Sequence, residues 1–222
     1  MKSEYLIFNG IIVLFPLIAK LLYKKSLLPR FYSALGAISI AAVPFLLFDN
    51  LVTGYFWSFN LRYILGLRIG SLPVEEMLFF FTVPFSCLFL WVNWKQMFER
   101  RKNTIYRATP YIILAFSLLG AIYLSVLGKY YTASVFCMMV LMVLIDIRLK
   151  TKLFTQGVFL VYLCTINAFT LVFNFYLTAR PIVLYEGIYK VGLMVLTIPI
   201  EDFIFGIALI SLVIMLYEKF AH

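Results

Sequence analysis

Apolar residues run along the chain in seven long blocks, at 5–23, 31–48, 74–94, 111–128, 131–147, 156–178 and 200–217, with shorter polar stretches between them. About 20 apolar residues cross a bilayer as a helix. The pattern therefore predicts an all-α, polytopic membrane protein with seven transmembrane helices. Only a turn near Gly128 and Lys129 separates the fourth and fifth blocks. The first block has its positive charges after it and no small-residue cleavage pattern, so it reads as a retained span rather than a signal peptide.

The blocks also repeat. "LLFDNLVT" at 46–53 resembles "LVFNFYLT" at 171–178, and each is followed some 20 residues on by Pro-x-acid-acid. "PVEEMLF" begins at Pro73 and "PIEDFIF" at Pro199, 126 positions later. The same spacing carries spans 1, 2 and 3 onto spans 5, 6 and 7. The expected organisation is two three-helix repeats, 1–97 and 130–222, joined by a linker with the fourth helix at 98–129. Three spans plus a linker helix bring span 5 back to the starting side. Both acid motifs then lie at one membrane face, where sites between internal repeats are often found.

Composition strengthens the membrane reading. The hydrophobic share is 64% and the charged share 13%, too little polar surface to cover a soluble domain. The net charge of +9 changes the picture only through its placement. One set of loops holds thirteen positive residues, Lys20, Lys24, Lys25, Arg30, Lys95, Arg100, Arg101, Lys102, Arg107, Arg148, Lys150, Lys152 and Lys219. The other holds six, Lys2, Arg62, Arg68, Lys129, Arg180 and Lys190. The richer side is expected to be cytoplasmic, which puts the N-terminus outside and the C-terminus inside the cell membrane. No basic stripe with interleaved aromatics appears, so membrane lipid rather than nucleic acid is the expected surrounding.

Candidate chemistry is narrow. The only histidine is His222, the last residue, which leaves no histidine-based metal site or buried histidine base. Cys87, Cys137 and Cys164 lie in apolar stretches without metal-type spacing and read as small buried hydrophobes. Asp146, two residues before Arg148, reads as an interfacial ion pair.

The acids of the motifs stand out. Glu75, Glu76, Glu201 and Asp202 are four of only ten in the chain. Pro73 and Pro199 suit a first helical turn, and acids there meet the positive end of the helix dipole. That alone would make them good helix starts with no further role. Their neighbours, Phe79 and Phe205 among them, favour more. A carboxyl drawn among apolar rings is desolvated and can hold a proton near neutral pH, and acids at membrane depth are functional candidates by default. Successive helical residues point about 100° apart, so one acid of each pair can face the interior while the other caps. Asp49 and Asn50 are expected to end span 2 at the same face, with Trp57, Phe59 and Tyr63 as candidates for a pocket wall.

"FDNLVTGYFWSFNLRYILGLRIGSLPVEEMLFF", "GLMVLTIPIEDFIFG" and the later "LYE" at 216–218 resemble the cofactor-independent, membrane-integral lycopene cyclases, a family occurring as two small subunits or one fused chain. The resemblance covers both halves. It carries Asp49, Trp57, Pro73, Glu75, Glu76, Glu201 and Asp202 onto family positions, with Asn50, Phe59, Phe79, Asn174 and Phe205 as supporting neighbours. Two departures are visible: Phe48 stands where the family usually has tryptophan, and Asn174 stands where the first repeat has Asp49. The halves are therefore not equivalent. The resemblance implies cyclisation of lycopene to γ- and β-carotene with β-ionone rings, a proton-initiated isomerisation without cofactor or metal. It leaves open which carboxyl donates the proton, how many ends are cyclised, and whether the chain acts alone or as a homo-oligomer. Glu75→Gln and Glu201→Gln are each expected to lose most activity.

Other seven-span readings fit less well. Residues 200–217 lack the lysine of a retinal Schiff base, and no D-x-x-x-D spacing offers magnesium to a diphosphate. A transporter or lipid-binding protein with intramembrane carboxylates, and a cyclase of a longer carotenoid, remain as alternatives.

Overall fold

The computed structural model describes residues 2–24, 27–98 and 106–221. Lys25, Arg100, Arg101, Lys102 and His222, used above, lie outside the described residues. Among the described residues, seven helices are long and apolar enough to span a membrane: α1 (Glu4–Leu22), α2 (Phe31–Val52), α3 (Val74–Phe98), α4 (Thr109–Val126), α5 (Tyr130–Leu149), α6 (Gly157–Ala179) and α7 (Ile200–Phe220). Three pairs of short strands are added at one end. β1 (Trp57–Phe59) pairs with β4 (Val183–Tyr185), β2 (Arg68–Ile69) with β3 (Leu72–Pro73), and β5 (Met194–Val195) with β6 (Ile198–Pro199), all antiparallel.

The repeat is visible in the packing. α1 lies along α3, and α5 lies along α7. Each second helix crosses to the other half, α2 against α7 and α6 against α3. The two hairpins leading into α3 and α7 have matching registers, Arg68 opposite Pro73 and Met194 opposite Pro199. The β1–β4 pair joins the halves, with Ser58 opposite Leu184 at its centre. Those two residues are themselves 126 positions apart, so a pseudo-two-fold axis passes between them.

The halves differ in how closely the crossing helix approaches. In α2, Ala34, Ala37, Ala41 and Ala42 are buried. Small side chains let two helices come near. Counting 125 positions on, α6 has Phe159, Tyr162, Ile166 and Asn167 in their place. These larger groups hold α6 further from α3 than α2 stands from α7. The cavity that holds the acids therefore lies beside α6, while a separate cleft lined by Ala34, Ile38 and Phe85 lies beside α2.

Three expectations change. Polar Asp49 and Asn50 do not end the second helix. It runs on to Val52, and the Thr53 hydroxyl donates to the Asp49 carbonyl oxygen at 2.8 Å. A break in hydropathy is not a break in backbone hydrogen bonding. Asp146 does not form its expected pair with Arg148. Its carboxylate accepts the N–H groups of Leu153 (2.8 Å) and Phe154 (3.2 Å) and the Thr151 hydroxyl, tying the α5–α6 turn. Of the cysteines only Cys87 is buried; Cys137 and Cys164 lie on outward faces, where lipid is as apolar as a core.

Candidate active site

The hairpins β2–β3 and β5–β6 deliver the chain into α3 and α7 so that both acid pairs occupy first helical turns. Pro73 and Pro199 are the last strand residues, just before each helix, rather than residues of the first turn. Proline's fixed φ and missing N–H suit that junction.

The two acids of each pair point in different directions, and the division is the same in both halves. Glu75 and Glu201 turn toward the loops that cover the bundle end. Glu75 Oε1 accepts the Leu65 N–H at 2.6 Å. Glu201 Oε1 accepts the Val191 N–H at 3.0 Å and the Thr132 hydroxyl at 2.5 Å. Both residues are fully buried, and the second oxygen of each has no hydrogen-bond partner among the described residues. Neither lines the cavity described next.

Glu76 and Asp202 turn inward, into an apolar cavity that they share with Asp49 and Asn174. The cavity leaves about 1160 Å³ between atoms, counting the part open to the surroundings. Three tyrosines organise its acids. Tyr5 donates to Glu76 Oε2 at 2.5 Å. Tyr131, 126 positions later, donates to Asp202 Oδ1 at 2.8 Å. The symmetry ends there. Asp202 Oδ2 also receives the Tyr185 hydroxyl at 2.6 Å and the Asn174 amide at 3.4 Å. On the Glu76 side, the corresponding positions hold Phe59, which has no hydroxyl, and Asp49, which is an acid. One carboxyl thus has three donors, while the other has one donor and a second carboxyl in the same cavity.

Aromatic rings complete the walls. Trp57 meets Tyr131 edge-on at 5.2 Å and Tyr185 at 6.1 Å, and Tyr131 stacks with Tyr185 at 6.3 Å. Phe79 lies 6.2 Å from Tyr5, and Phe205 packs at 6.3 Å from both Phe48 and Phe80. Phe59, Phe79 and Phe205 all line the cavity. Burial, then the charge of Asp202, pushes the Tyr185 hydroxyl well above the usual phenol range, so it remains a donor. Among the described residues no group of three His, Cys, Asp or Glu is arranged to hold a metal ion.

Of the expected residues, Asp49, Trp57, Phe59, Glu76, Phe79, Asn174, Asp202 and Phe205 meet in one cavity. Glu75, Glu201, Asn50, Pro73 and Pro199 do not. Asn50 serves the hairpin instead. Its Oδ1 accepts the Ser71 N–H at 2.8 Å, and its carbonyl accepts the Ser71 hydroxyl at 2.6 Å. Tyr63 also stays off the cavity and lies under the Arg180 guanidinium at 5.3 Å. Sequence reasoning missed Tyr5, Tyr131 and Tyr185. Tyr5 and Tyr131 recur at the motif spacing, a signal that was available; Tyr185 has a phenylalanine as counterpart and left none.

The arrangement can give a proton to an apolar guest, surround a cation with ring faces, and take a proton back. The matching of known families agrees with that chemistry. No curated protein and no solved structure compared with the chain matches it significantly. The family described as lycopene cyclase matches residues 2–94 and again residues 128–220, one stretch for each repeat. With both halves matched, an aromatic chamber holding acids from each, and seven helices among the described residues long and apolar enough to span a membrane, this chain belongs to the lycopene cyclase family.

Proposed function

We propose that the chain converts lycopene to γ- and β-carotene by closing β-ionone end rings. The observation that supports this best is the meeting of Glu76, Asp49 and Asp202, from both repeats, in a single aromatic cavity of a membrane bundle. The substrate is itself a lipid hydrocarbon and would be met there. Cyclisation needs no redox change. A carboxyl adds its proton to the terminal double bond, leaving a tertiary cation. A nearby double bond of the same molecule attacks that cation and closes a six-membered ring. A base removes one proton to leave the ring alkene. Proton gained equals proton lost, so the product is an isomer.

The two environments support a division of roles. Glu76 is the proton donor, because it has one hydrogen-bond donor and shares the cavity with Asp49. Asp202, with three donors, is the better-held anion, and it faces the cation and accepts the proton. Trp57, Tyr131 and Phe205 offer ring faces to the cation, worth up to about 2 kcal/mol when desolvated. Glu75 and Glu201 hold the covering loops rather than touch the substrate. The units 1–97, 98–129 and 130–222 are proposed as first repeat, linker and second repeat. The loop charges support placing the acid end at the outer face of the cell membrane.

The test is to express the chain in a host that accumulates lycopene and to resolve the extracted pigments. A product of unchanged mass with a shorter-wavelength spectrum is expected. Unconverted lycopene, with the protein folded in the membrane, would overturn the assignment.

A further inference from the structure

The acids occupy only one end of the cavity. From Glu76 its lining descends α3 through Val83 and Cys87 to Leu90, roughly 21 Å at 1.5 Å per residue. That is about two thirds of a bilayer's ~30 Å hydrocarbon core. Ile12 and Phe15 of α1 and Ile166, Phe169 and Phe173 of α6 face the same space. Of α5 only Tyr131 reaches it, and of α2 only Asp49.

Both ends of this shaft are covered. At the acid end lies the β1–β4 clasp, whose Trp57 and Tyr185 line the cavity. At the other end Trp91, buried and donating to Glu218 at 2.8 Å, packs on Tyr162 and Phe159 at 5.3 and 5.9 Å. Tyr162 closes further by donating to the Cys87 carbonyl at 2.8 Å. Among the walls, α1 packs along α3, and α6 packs against α3 and α7. The α1–α6 wall is different, for there the two helices meet through rings. Phe15 and Phe169 lie 5.7 Å apart, Phe8 and Phe173 5.8 Å, and Phe8 stacks on Tyr176 at 5.5 Å. Above the rings, Tyr176 and Arg180 both donate to Glu4 at 2.7 Å. Phe15 and Phe169 line the cavity and are half-buried, so they stand between the shaft and the outer surface of the bundle.

We propose that the α1–α6 seam is a lateral portal and binding groove for the extended polyene, with Phe15 and Phe169 as its specificity-determining gate. This rests on the cyclase reading. One end group reaches the acids while the conjugated chain lies down the shaft, nearly along the membrane normal, and its remainder leaves between the two rings into lipid. Side-chain rotation opens such a seam without moving backbone, and its apolar surface suits a hydrocarbon. Because acids stand at one end only, each binding event closes one ring.

The test uses the full chain in liposomes, following initial rate against lycopene mole fraction. A second readout is the carotenoid retained by the protein after detergent extraction. F15W and F169W, which fill the seam, are expected to lower the rate at limiting lycopene at least tenfold and to lose retained pigment. F169A, which widens the seam, is expected to raise the rate at limiting lycopene above that of the unsubstituted chain, which separates blocking from loss of an aromatic contact. L141W, on the outward face of α5 at the position corresponding to Phe15, is expected to match the unsubstituted chain. Wild-type rates and retention in F15W and F169W would overturn the portal, as would equal losses in L141W. If the unsubstituted chain retains lycopene in a seam-dependent way yet leaves it unconverted, the cyclase reading falls and the portal stands.

Discussion

At the scale of single residues, each Pro-x-acid-acid motif divides its labour by helix geometry. Two neighbours on a helix cannot face the same way, so one acid of each pair reaches the covering loop and the other the cavity. Glu76→Gln and Asp202→Asn are therefore expected to lower lycopene conversion by roughly 10²–10⁴-fold, the usual share of a general acid or base. Glu75 lies off the cavity, so Glu75→Gln, which keeps an acceptor for the Leu65 N–H, is expected to lose less than about tenfold, or ~1.4 kcal/mol, in place of the loss of most activity that the motif alone suggested. Pigment yield normalised to membrane protein level checks all three, and equal losses at positions 75 and 76 would contradict the division. Tyr185→Phe removes one of three donors from Asp202. A hydrogen bond to a charged group is worth about 1.5–3 kcal/mol, so a loss of roughly 10–100-fold is expected. In the folded chain the Tyr185 hydroxyl ionises only well above the phenol range. Its contribution is complete below the unfolded phenol value near 10 and declines only at higher pH. The rate of the unsubstituted chain should show no alkaline decline from this group between about pH 7 and 9, as a pH profile in liposomes would reveal.

At the scale of elements, the contrast between α2 and α6 decides where space exists. The alanines of α2 bring it against α7, and the bulky counterparts in α6 keep it off α3. Ala37 is fully buried. Ala37→Leu should strain that contact and cost about 1–3 kcal/mol, the usual penalty of overpacking. Thermal unfolding in detergent measures it, and an unchanged midpoint would show that α2 has room to shift. The helices themselves were legible as hydropathy blocks, to within a few residues at each end. The strand pairs were not. Segments of two or three residues have too short a period to register, and they exist because facing chains supply their hydrogen bonds. The clasp of β1 on β4 joins residues more than 120 positions apart, with Trp57 opposite Tyr185.

For the whole molecule, the cavity belongs to neither repeat. Asp49 and Glu76 come from the first, while Asn174 and Asp202 come from the second. Fragments divided between α3 and α4 are each expected to be inactive alone and to restore pigment conversion when co-expressed. A single active fragment would disprove the shared site. With acids at one end of the shaft, the one-ring product should appear before the two-ring product in a time course on lycopene. Simultaneous appearance of both would argue against ring closure one end at a time.

Much about this protein follows from residue order alone, because it depends on local physics. Continuous apolar blocks require membrane helices, since no other open structure satisfies its backbone groups in lipid. The recurring motif revealed the repeat, and with it the family. The partition of the acids, the tyrosines that hold them and the one-sided shaft were settled by packing. Helix rotation turned Glu76 and Asp202, rather than Glu75 and Glu201, toward the cavity. The pseudo-two-fold placed Phe59 opposite Tyr185 and Asp49 opposite Asn174. Those outcomes depend on how distant helices meet, and a linear pattern of apolar and polar positions is nearly the same for either rotation.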